Sequence, residues 1–117
     1  MRLFSKIISA VFTILFIWAA FLQYNDPDAM LWYFIYGLAA IASFLFLMEK
    51  MVLIVPVILS FAYLLSAYMF WPEHFEGVSI DGGNINNIEH ARESLGLIIN
   101  ALVMLFYAWR IKKVGKA

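Results

Sequence analysis

AMLWYFIYGLAAIASFLFLMEKMVLIVPVILSFAYLLSAYMFW, residues 29–71, carries only two charged side chains, Glu49 and Lys50, and they are adjacent. They separate two uncharged runs, Ala29–Met48 of 20 residues and Met51–Trp71 of 21. A helix of about 20 apolar residues crosses a hydrocarbon core about 30 Å thick. So short a polar break leaves no room for a crossing loop, and the stretch reads as two antiparallel membrane helices.

Two further uncharged runs, Ile7–Leu22 and Leu95–Trp109, flank this pair, and 65% of the 117 residues are apolar against 14% charged. Soluble domains carry about 25% charged residues, and four such runs leave too little polar surface to cover a soluble particle. The expectation is an all-α integral membrane protein, a four-transmembrane-helix antiparallel bundle forming a single transmembrane domain over 1–117. Its helices are placed at about 3–23, 27–48, 51–71 and 87–112, with an outer loop over 72–86. Arg2 and Lys6 precede the first run as in a signal peptide. With no A-x-A-like site before Gln23, and an odd number of spans left by cleavage, the run is expected to be retained.

The formal net charge is zero, but on this topology the charges sort by side. Arg2, Lys6, Glu49, Lys50, Arg110, Lys112, Lys113 and Lys116 sum to +6, while Asp26, Asp28, Glu73, Glu76, Asp81, Glu89, Arg92 and Glu93 sum to −6. Short loops rich in Lys and Arg stay in the cytoplasm. Both termini are therefore expected inside, with a bacterial cytoplasmic membrane as the location. The lipid bilayer is one partner, and a membrane-protein partner or a second copy is another. The basic tail is too short to argue for nucleic acid. Absence of cysteine excludes disulfides, thiolate catalysis and cysteine metal sites.

Local signals refine the helices. Pro27 disfavours helical geometry at Asp26 and suits a first helical position, which makes Asp26 the expected N-cap of helix two. Trp32, Tyr33 and Tyr36 below it suit the headgroup level, and Gly37, Ala40 and Ala42 suit close helix approach. Pro56 is expected to bend helix three, and Ser60, Tyr63 and Ser66 give that helix a mildly polar face. Asn86 or Asn87 caps helix four, Asn86 doing so with Glu89 at the third position in the manner of a capping box.

Two polar clusters then fall at the outer end. Gln23, Asn25, Asp26 and Asp28 lie between helices one and two. Glu89, Arg92, Glu93, Gly96 and Asn100 form one stripe of helix four, descending into the apolar zone, where Glu93 and Asn100 are expected to point inward. "QYNDPDAMLWY" (23–33), "EHARESLGL" (89–97) and four spans together resemble the transmembrane protein 220 family, small four-helix membrane proteins. The resemblance covers nearly the whole chain. It implies the fold and singles out Gln23, Asn25, Asp26, Pro27, Asp28, Trp32, Tyr36, Glu89, Arg92, Glu93 and Gly96, but it implies no reaction. Ala29 stands where a second proline is expected.

The simplest account of Asp26 and Asp28 is helix capping, and of Arg92 an ion pair clamping helix ends. Beyond that, the cluster Gln23, Asn25, Asp26, Asp28, Glu89, Arg92, Glu93 and Asn100 is the candidate for binding a lipid headgroup, a cation or a partner protein. The alternative is an intramembrane enzyme acting on a lipid-linked substrate, with Glu93 or Asp28 as acid–base and Arg92 stabilising an anion. Alternating-access transport, motivated by Asn100, Ser60 and Tyr63, fits four short helices poorly. No cofactor is expected. His74 and His90, with nearby acids, are weak candidates for a divalent ion, because neither H-E-x-x-H spacing nor a calcium-loop spacing is present.

Overall fold

The computed structural model describes residues 3–25, 28–72 and 85–113. Four α-helices follow one another: α1 (Leu3–Phe21), α2 (Ala29–Leu47), α3 (Ile54–Met69) and α4 (Ile85–Lys113), with a 3₁₀ turn over Leu22–Asn25. No strand occurs among the described residues. Three segments, Leu3–Tyr24, Ala29–Leu47 and Ile88–Lys113, are long and apolar enough to cross a membrane. The fourth, α3, has 16 residues, about 24 Å of helix. Turns extend it at both ends, through Val55 N–H to the Val52 carbonyl (3.1 Å) and through Phe70 and Trp71 N–H to the carbonyls of Ser66 and Tyr68 (2.9 and 3.2 Å). That matters in lipid, where backbone polar groups must find partners within the chain.

By Cα proximity the chain forms two compact units, one of residues 1–55 with 110–117 and one of 56–109. In the first, α1 and α2 pack antiparallel. Phe12, Phe16, Tyr36 and Trp32 form an aromatic seam, with successive ring centroids 5.5, 6.5 and 6.2 Å apart. At the far end Lys6 Nζ lies 3.7 Å from Glu49 Oε2. Outward, the pair exposes a row of large apolar side chains, including Leu3, Ile7, Ile14, Trp18 and Phe21 of α1. Such a row would be a liability in water and is the ordinary lipid-facing surface of a membrane helix.

The turn after α2 ends that helix in a Schellman motif. Met48 is the C-cap, Glu49 N–H donates to the Phe46 carbonyl at 3.0 Å and Lys50 N–H to the Leu45 carbonyl at 2.9 Å. Glu49 takes the left-handed conformation, φ 59°, in the position usually filled by glycine.

In the second unit α3 and α4 pack antiparallel. Ser94 is fully buried and its Oγ donates to the Ala67 carbonyl at 3.0 Å, while Phe70 and His90 place their rings 6.4 Å apart.

Several expectations are corrected. Asp28, not Asp26, is the N-cap of α2, and its side chain makes no capping hydrogen bond; Asp26 and Pro27 lie outside the described residues. Pro56 sits in the first turn of α3, where its missing N–H would have had no partner anyway, so the expected bend has no cause. Asn86 and Asn87 are already helical within the first turn of α4, which removes the capping-box frame for Glu89. Trp32 is 2% exposed, so its ring packs inside the protein and does not face lipid. A Cβ added at Gly37 would meet nothing within 4 Å. Gly37 lies with Ala20 and Ile41 in a groove of about 460 Å³ between α1 and α2, whereas Ala40 and Ala42 are buried as expected, together with Ala39.

Candidate outer-face site

The chain from α1 to α2 turns through Leu22–Asn25, which brings Gln23, Asn25 and Asp28 to one end of the first unit. Gln23 has a local role: its Nε2 donates to the Ala19 carbonyl at 2.9 Å, satisfying one of the last carbonyls of α1. Asp28 is exposed at the start of α2. The backbone of Asn25 belongs to the 3₁₀ turn, whereas Asp26 lies outside the described residues.

In the second unit Glu89, His90 and Arg92 are exposed on the first turns of α4, and Glu93 is half-buried. Further along the same helix Asn100 is 1% exposed, and neither its Oδ1 nor its Nδ2 has a hydrogen-bond partner among the described residues. The stripe therefore runs from water-accessible charges to a buried amide. Gln23, Asn25 and Asp28 belong to one unit and Glu89, Arg92, Glu93 and Asn100 to the other. Among the described residues no group of three His, Asp or Glu side chains is arranged to hold a metal ion. His74 lies outside them, and the His90 ring packs near Phe70.

Two polar features escaped the sequence reading. Ser94 joins α4 to α3 through the Ala67 carbonyl. Its signal was the spacing of small residues Ser94, Ala101 and Ala108, one every seven positions, all buried. Arg110 is 7% exposed, although it reads from sequence as one of a solvated basic group closing α4.

A family model described as "Transmembrane family 220, helix" matches residues 15–109. The chain belongs to transmembrane family 220. The family 220 match begins inside α1 and ends at Trp109, so it includes both Gln23–Asp28 and Glu89–Asn100. No curated protein and no solved structure matches the chain. Family 220 membership agrees with the helical, apolar architecture described above and establishes a small membrane protein.

Proposed function

We propose that the protein is a non-catalytic membrane protein that recognises a lipid headgroup at the outer end of α4. The observation that carries this reading is the length of α4. Its 29 residues make about 43 Å of helix, against a hydrocarbon core of about 30 Å. Arg110, Lys112 and Lys113 close the helix at its other end. With these held at one interface, the excess length falls on the first turns, where Glu89 and Arg92 are exposed. A guanidinium is a planar donor fork suited to phosphate, and carboxylates one turn away suit a headgroup ammonium. A zwitterionic aminophospholipid carries both groups.

Two finer points rest on the same reading. Asp28, at the exposed start of α2, is the corresponding acidic candidate of the first unit. Both termini on the cytoplasmic side fit the +6 and −6 division of charge.

Lipid competition on the purified protein tests the headgroup reading. Phosphatidylethanolamine should be retained over phosphatidylcholine, whose quaternary nitrogen cannot donate hydrogen bonds. The double variant Glu89→Gln, Arg92→Gln should lose about tenfold or more of that preference, as expected for charge-assisted hydrogen bonds. An unchanged preference in the double variant contradicts the proposal.

A further inference from the structure

Asn100 is buried to 1% exposure at a depth where the neighbouring sequence, Leu95–Trp109, holds no charge. Neither end of its carboxamide meets a hydrogen-bond partner among the described residues. An amide in that condition is costly anywhere, and inside a membrane protein a buried polar side chain of this kind characteristically serves a ligand or a cavity. The second unit supplies the surroundings. The Ser94–Ala67 hydrogen bond and the Phe70–His90 contact define an antiparallel register of α3 and α4. Continued six residues beyond Ser94, that register brings Asn100 level with Ser60, with Tyr63 one turn nearer the outer end. Ser60 and Tyr63 are both buried. Ser60 Oγ donates to the Val57 carbonyl at 2.8 Å, which leaves its oxygen able to accept.

The carboxamide itself selects the chemistry. Nδ2 offers two donors and Oδ1 two acceptor sites. A cation would satisfy only the oxygen and an anion only the nitrogen, whereas a neutral group that both donates and accepts satisfies both. We propose that Asn100 is the anchor of an internal binding position, level with Ser60 between the membrane faces, for a neutral hydroxylic ligand. Water and the hydroxyl of an amphiphile share that chemistry. The position is independent of the headgroup reading, because it involves neither Glu89 nor Arg92.

Isotope-edited infrared spectroscopy of the purified full chain, with ¹³C in the asparagine side-chain carbonyls, reads the position directly. The band lost in Asn100→Leu identifies Asn100. A downshifted, hydrogen-bonded band whose N–H groups exchange in D₂O and that survives delipidation assigns water. A downshifted band that reverts on delipidation assigns an amphiphile hydroxyl. A band at the free-amide frequency in both preparations overturns the proposal. If Asn100→Leu does not fold, Asn100→Gln identifies the band by its loss, because the glutamine carries no label, and the same criteria apply.

Discussion

Glu49→Pro is expected to destroy the turn between α2 and α3, whereas Glu49→Gly is expected to leave the protein about as stable as before. Glu49 occupies φ 59°, and proline is locked near −65°. Its N–H donates to the Phe46 carbonyl, a bond proline cannot make. The substitution is incompatible on both counts and should cost about 3 kcal/mol or more. Glycine removes a left-handed penalty of about 1–2 kcal/mol. Against that stand the partly exposed Lys6 contact at 3.7 Å, of about 0.2–1 kcal/mol, and a freer unfolded chain, about 0.4–1 kcal/mol. The gain and the losses nearly cancel, so the variant should lie within about 1 kcal/mol of the wild type. Thermal unfolding in detergent, followed by size-exclusion fluorescence, measures both variants. A Glu49→Pro protein that melts with the wild type would show that the Schellman turn is not what ends α2.

Ser94→Leu carries the second large effect. Ser94 is fully buried against α3, so leucine adds volume where α4 meets the Ala67 backbone and removes a hydrogen bond. Overpacking costs about 1–3 kcal/mol, and an interhelical hydrogen bond in a membrane protein averages about 0.6 kcal/mol. Ser94→Ala should therefore cost under about 1 kcal/mol, and Ser94→Leu several times more. Equal melting of the two would mean that the α3–α4 contact is looser than described.

Hydropathy made the helices legible, because membrane spans must be long, apolar and uncharged and the chain has four such runs. It did not set their ends. Those depend on which backbone groups find partners, and the partner at Glu49 came from a residue with no glycine-like signature. Trp32 was misread for a related reason. The belt rule considers depth alone, whereas Trp32 shares its face of α2 with Ile35, Ala39, Ala42 and Phe46, all buried. Spacings of three, four, three and four put them on one face of a helix.

The candidate site was legible in part. Helical periodicity put Glu89, Arg92, Glu93 and Asn100 on one stripe, and the change from exposed to buried along it follows from their order in α4. Gln23 has a local role that periodicity does not show, since its Nε2 serves the end of its own helix. No periodicity argument could have shown that the Asn100 amide lacks a partner, because that depends on what the other helices present at its level.

We propose a chain that crosses the membrane an even number of times, with both termini on the side opposite most of its acidic residues. The sequence contains no cysteine, so one introduced thiol reports its own location. In intact cells an impermeant maleimide should label Ser79→Cys and should label Gly115→Cys only after the membrane is opened. Labelling of both variants in intact cells, or of Gly115→Cys alone, would contradict the account.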